Sequence, residues 1–313
     1  MPLAFKPIID GVGYVEIPDS GGHSSVYVVG SPRDALIVDA YTAGIAPDIA
    51  SALEAAGVRP GAVRAIVVTH GHQDHFGGAG VLSRWSGAPV WASLSAALQA
   101  EDPWGYFAAP NSWSANASVA DWDAFRAGAG EGGLRVERIL REGDVIEHAG
   151  MRLDVLLLPG HDRGELGLWE RSRRLIFTGD LIQGGMDASK NWLGLFTDPA
   201  SQRRSLQRVA ALRPEWNFKG HRRARSGEEV GADIASALGR LDAIERALLE
   251  SLREKSPQGV PALTRAAFRG VLGMEVAEPA NYATVSVLSF LLDMARRGLV
   301  LRTAEHEWIP VRK

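Results

Sequence analysis

The segment THGHQDHFGG, Thr69 to Gly78, gathers three of the chain's eight histidines and one aspartate into the six positions from His70 to His75. Imidazole and carboxylate at that density are metal-ligand chemistry, because isolated histidines are usually surface groups or singly satisfied. In an extended segment residues two apart point the same way, so His70, His72 and Asp74 can share a face while His75 points elsewhere. One short segment can then feed two neighbouring cation positions. Imidazole suits zinc, iron or manganese, and a carboxylate can bridge two cations. Two cations ~3.5–4 Å apart would polarise a substrate oxygen and generate hydroxide near neutral pH.

Such a site needs a scaffold. His70, His161, Asp180 and His221 each stand just past a strand-like run: VRAIVV, MRLDVLLL, RRLIFT and EWNF. Loops at strand ends are where a sheet offers side chains to a site. Upstream, SSVYVVG (24–30) and DALIVDA (34–40) are β-rich and read as a hairpin, and residues 46–57 have helical periodicity ending at a Gly. GAGVLSRWSG and ASQRRSLQRVAALRP read as helices, and APVWAS as a short strand. The alternation predicts an α/β protein with a layered sheet core. His23, His148 and His306 stand alone and read as surface or satisfied histidines.

Composition narrows the chemistry. The 313 residues are 46% hydrophobic and 23% charged, those of an ordinary globular protein, with a net charge of -3 that predicts no attraction to nucleic acid or anionic membrane. There is no cysteine, which excludes disulfides, thiolate ligands and cysteine nucleophiles. No apolar run is long enough to span a bilayer and no secretory leader is seen, so a cytoplasmic location is expected.

In this order, THGHQDH, PGH (159–161), TGD (178–180) and KGH (219–221) resemble the metallo-β-lactamase-fold hydrolases, over roughly residues 10–225. The resemblance implies an αββα sandwich with two divalent metals at one edge of its sheets. His70, His72 and His161 would bind the first metal, Asp74, His75 and His221 the second, and Asp180 would bridge them. Zinc is the first choice, with iron or manganese as alternatives. Asp74 and Asp180 would be the catalytic carboxylates, around a hydroxide that attacks an ester, thioester or lactone carbonyl. LIVDA, with Asp39, resembles the family's early strand, whose Asp usually supports the ligands. The lack of cysteine excludes the thiolate-bearing lactamase branch and leaves glyoxalase II-like thioesterases, lactonases, nucleases and cysteine-free lactamases. A phosphodiesterase, a mononuclear iron persulfide dioxygenase and a metal-binding regulator remain alternatives. Two departures from the common pattern, PGHDRGEL with Asp162 and Arg163, and Ala40–Tyr41 after Asp39, leave the subfamily open; Asp162 reads as a turn former, and Tyr41 either faces the substrate or packs in the core.

The domains read as 1–225, catalytic, and 226–313, a smaller and mostly helical module. Three helical stretches and a closing ribbon in the latter resemble a winged helix. From Arg222 to Lys313 there are 14 Lys and Arg against 12 Asp and Glu, a net +2, so packing or a homodimer contact is favoured over nucleic acid. Residues 101–133 show no clear period. Six aromatics fall between Trp104 and Phe125, and Trp104, Tyr106 and Trp113 are expected to line an apolar wall for a small-molecule substrate.

Overall fold

The computed structural model describes residues 2–19, 22–108, 119–130, 134–183 and 193–311. The chain divides into two compact units. The larger comprises Met1–Leu158, Gly164–Leu181 and Leu212–Val230; the smaller comprises Pro159–Arg163, Ile182–Ala211 and Gly231–Lys313.

The larger unit contains two sheets. The first runs β1 (Phe5–Ile9), β2 (Val12–Asp19), β3 (Gly22–Ser31), β4 (Asp34–Val38), β5 (Val63–Val68), β6 (Val90–Ser93), β7 (Arg138–Leu140), in that spatial order. It is antiparallel from β1 to β4 and parallel from β4 to β7. The second contains β8 (Val145–His148), β9 (Met151–Leu157), β10 (Leu166–Glu170), β11 (Leu175–Gly179), β12 (Trp216–Lys219) and β13 (Arg225–Ser226), again as neighbours in sequence order. Its strands are antiparallel except for the parallel pair β11–β12. The helices of this unit are α1 (Ala46–Ala55), α2 (Gln73–Phe76), α3 (Ala79–Ser86), α4 (Leu94–Glu101), α5 (Pro103–Ala108) and α6 (Val119–Ala129).

Two apolar clusters explain the layering. Between the sheets, Leu36, Val38 and Val67 of the first meet Leu153, Val155, Leu168, Phe177 and Phe218 of the second. Phe177 and Phe218 stack at 4.6 Å, and Tyr27 meets both edge-on. On the other face of the first sheet, Ile37, Ile66 and Val68 pack against Ile49, Leu53 and Leu82 of α1 and α3. A sheet covered on both faces needs apolar residues at every position, which is why DALIV and VRAIVV are near-continuous apolar runs. Sheet on sheet with helices outside is the layered α/β sandwich that the sequence implied.

The smaller unit holds α7 (Pro199–Leu212) except its last residue, most of α8 (Glu228–Glu254), α9 (Val260–Leu272), α10 (Asn281–Arg296) and the ribbon β14 (Val300–Arg302)–β15 (Trp308–Pro310). Ser286 on α10 donates to the Gly194 carbonyl and accepts from the Phe196 amide, and Phe196 meets Phe290 edge-on at 5.8 Å. Among the described residues no helix is long and apolar enough to cross a membrane.

Three parts differ from the sequence reading. The strand expected to run to residue 40 ends at Val38, because Asp39 takes a left-handed φ of 63° and leaves the sheet. The stretch expected to be irregular contains α5 and α6. Its glycines and aromatics hide a helical register that an edge contact between Trp104 and Phe125, at 5.6 Å, helps to hold. Finally, β1 and β2 were not read as strands, since FKPII is short and interrupted by Pro7.

Candidate metal centre

Both sheets end in the same way at the site. In the first, the parallel neighbours β4 and β5 run out into Asp39 and into Thr69–His75; in the second, the parallel neighbours β11 and β12 run out into Asp180 and His221. The carboxyl ends of adjacent parallel strands leave a crevice that side chains can fill.

Within the larger unit one ligand atom from each of His70, His75 and Asp180 lies within 4.8 Å of the others, and the same holds for Asp74, His75 and His221. His70 Nε2 and His72 Nδ1 are 3.0 Å apart. His221 Nε2 is 3.1 Å from Asp74 Oδ2 and 3.2 Å from Asp180 Oδ2, while Asp180 Oδ1 is 3.6 Å from His75 Nε2. His70, His72 and His75 are buried. The Asp74 and His221 side chains are each 32% exposed and form the open edge of the cluster.

His75, His221 and Asp180 each have a support. Asp39 accepts from the Thr69 amide at 2.8 Å, from the Thr69 hydroxyl, and faces His75 Nδ1 at 2.9 Å. Ser24 Oγ faces His221 Nδ1 at 2.8 Å. The fully buried Glu165 carboxylate accepts the Asp180 amide at 2.6 Å. Gly220 donates its amide to Gly179 at 2.8 Å, and a Cβ there would sit 2.5 Å from His75 Cε1 and 2.6 Å from Asp180 Oδ1. Only a glycine lets this loop approach so closely.

The electrostatics favour cations. Burial alone would push His75 down; Asp39, Asp180 and Asp74 outweigh it and hold the imidazole well above its ordinary value. Burial alone would likewise raise Asp180, but His221 and His75 hold it well below the usual carboxylate range. His72, dominated by burial, is pushed down to about 4 and stays neutral at physiological pH. The fit to a metal rests on His75 Nε2. It is buried and has no hydrogen-bond partner among the described residues. It stands 3.6 and 4.0 Å from Asp180 and Asp74, too far for hydrogen bonds. Two ligands on one tetrahedral ion with ~2.0–2.1 Å bonds are separated by roughly 3.3–3.5 Å, close to these distances.

The structure therefore gathers His70, His72, Asp74, His75, Asp180 and His221. His161 belongs to the smaller unit, where it is buried with Nδ1 3.0 Å from the Leu195 carbonyl, leaving Nε2 as its other ring nitrogen. In the same loop the carbonyl of buried Asp162 accepts the Gly160 amide. Tyr41, with a φ of 55°, is half-buried against the helix-side core, and its carbonyl accepts the Gly78 amide. Trp104 is partly buried against the same core with Arg126 5.5 Å over its ring. The Tyr106 side chain and Trp113 lie outside the described residues. Ser24 and Glu165 were missed by sequence reasoning. Ser24 carries no local signal, whereas Glu165 sits inside the atypical PGHDRGEL and could have been singled out there.

The metallo-beta-lactamase superfamily profile matches residues 19–221. The chain is 31% identical over 197 residues to the acyl-coenzyme A thioesterase MBLAC2 of Gallus gallus, spanning 58% of this chain and 67% of that protein. It is 30% identical over 125 residues to the hydroxyacylglutathione hydrolase GloC of Haemophilus influenzae, spanning 40% of this chain and 52% of that protein. Among solved structures, a metallo-beta-lactamase family protein from Thermus thermophilus shares the fold, with a TM-score of 0.73 at 21% identity, over 97% of this chain and 100% of that one. With the superfamily profile matched across well over half of its length, the chain belongs to the metallo-beta-lactamase superfamily.

Proposed function

We propose that the chain is a metal-dependent hydrolase of a thioester, or of a related ester or lactone, that carries an apolar portion. One observation carries this reading: Asp74, His75, Asp180 and His221 converge on one point, with a buried, unpartnered His75 Nε2 facing two carboxylates. In this reading Asp74, His75 and His221 would hold one metal. His70 and His72 would hold the other, with His161 as the third ligand that the resemblance implies, and Asp180 would serve both. When bound, two cations, zinc first and iron or manganese as alternatives, supply Lewis acidity and bring the pKa of water towards neutrality.

The chain's own groups have distinct tasks. Asp39 holds the His75 proton at Nδ1, so that Nε2 presents a lone pair. Asp74, on the open edge, and Asp180, facing both His75 and His221, would be the catalytic carboxylates. Thioesters come first because two relatives are named as hydrolases of acyl-coenzyme A and hydroxyacylglutathione, both thioesters. Trp104 would supply part of the apolar wall. Residues 1–225 act as the catalytic domain, and the helical 226–313 serves packing or a homodimer contact.

The test is hydrolysis, by the metal-replete full chain, of a panel of thioesters, oxoesters, lactones, phosphodiesters and β-lactams. Turnover of thioesters or lactones above the other classes supports the reading, and turnover of phosphodiesters alone overturns it.

A further inference from the structure

His221 follows β12 of the second sheet, and it is the more exposed of the two imidazoles facing Asp180. We propose that Ser24 is its positioning residue: it fixes His221 in the tautomer that carries the proton on Nδ1 and leaves Nε2 for the metal. This inference rests on the metal reading above and adds a role for a residue outside the ligand set.

The geometry is a short antiparallel bridge. The start of β3 pairs with the loop after β12 through Ser25 N to Gly220 O at 2.8 Å and Arg222 N to His23 O at 2.7 Å, which sets Ser24 opposite His221. Side chains directly opposite in such a bridge are neighbours. Ser24 is 3% exposed and its Oγ lies 2.8 Å from His221 Nδ1, while Nε2 faces Asp74 and Asp180 at 3.1 and 3.2 Å. A hydroxyl can donate or accept, but a metal on Nε2 requires a neutral ring with its proton on Nδ1, so Nδ1 donates and Ser24 Oγ accepts. Arg222, at a φ of 64°, turns the chain directly after the bridge, ahead of β13. Asp39 does the same for His75 with a carboxylate. The hydroxyl is the weaker acceptor, in keeping with the more exposed ring.

The experiment titrates cobalt into the metal-free full chain, following absorbance and chelator competition, for the parent, Ser24→Ala and Ser24→Thr. The parent is expected to take up two cobalt ions. Ser24→Ala should bind the second about 10–100-fold more weakly, with an altered d–d band, and Ser24→Thr should recover most of that loss. Equal affinities and spectra in parent and Ser24→Ala overturn the proposal. Long-range nitrogen–proton NMR of the zinc-loaded parent supplies a reading that needs no variant: a protonated Nδ1 on His221 supports it, and a proton on Nε2 overturns it. A parent that takes up no second ion fails the two-metal reading itself, and the Ser24 assignment with it. That outcome is distinct from a parent binding two ions with Ser24→Ala unchanged.

Discussion

The two sheets of the larger unit deliver side chains to one point by different means. The first sheet uses a side chain as its clamp: Asp39, forced out of β4 at a left-handed φ, takes two groups of Thr69 and one of His75 onto a single buried carboxylate. The second sheet uses backbone proximity: Gly179, at a φ of 50°, and Gly220 hydrogen-bond directly, and the absence of side chains there lets Asp180 and His221 close on His75. The first arrangement is electrostatic and should respond to charge. The second is steric and should respond to volume.

The comparison can be broken at its centre. Asp180 is the second sheet's carboxylate facing both His75 and His221, so Asp180→Ala should lower turnover by more than about 100-fold and release at least one metal. Asp162→Ala should do far less. Activity in Asp180→Ala equal to the parent's would remove Asp180 from the site.

A purely steric change comes next. Gly220→Ala adds one methyl against His75 and Asp180; overpacking of this kind costs roughly 1–3 kcal/mol. Because the displaced atoms belong to the proposed ligands, metal content should fall more sharply than thermal stability, as elemental analysis beside calorimetry would read. The charge-based counterpart is Asp39→Asn, which keeps the shape but lets the amide donate to His75 Nδ1, and should weaken metal binding by about 10–100-fold. If Asp39→Asn were silent and Gly220→Ala severe, the clamp would be steric in both sheets.

Acidification should separate the cluster. In the metal-free protein His75 is held protonated well above its ordinary value, so a cation must displace that proton, and falling pH competes against it. His72 is pushed down to about 4 and offers no competing proton until pH nears that value. Between pH 8 and 5, metal should therefore leave the Asp74–His75–His221 position first, as cobalt spectra can follow. Simultaneous loss of both metals would contradict the assigned proton positions.

The smallest effect is expected at the rim. Trp104 is only partly buried, so Trp104→Ala should cost about 1–3 kcal/mol, less than a fully buried aromatic. It should raise KM for long or aromatic acyl groups more than for short ones. A loss of stability alone, equal across chain lengths, would assign Trp104 to packing.

The candidate ligands were legible in the sequence because all seven sit in four short, polar motifs at the ends of apolar runs. Two of those runs, VRAIVV and LIFTG, are buried on both faces and therefore read clearly as strands. The supports were not legible. Ser24 and His221 are 197 residues apart, and nothing local in HSSV marks a hydrogen-bond acceptor for a distant ring. Gly220 reads as an ordinary turn glycine until the positions of His75 and Asp180 are known. In α6 the apolar positions are filled by alanine and aromatics beside glycine, so its period was obscured where the contacts of Trp104 and Phe125 supply the order.

The central claim is that this chain carries a two-metal hydrolytic centre, and the metal-to-protein ratio of the purified full chain tests it most directly. Elemental analysis should return two divalent ions per chain, zinc foremost. A single iron per chain, with oxygen consumed on a persulfide, would contradict the account.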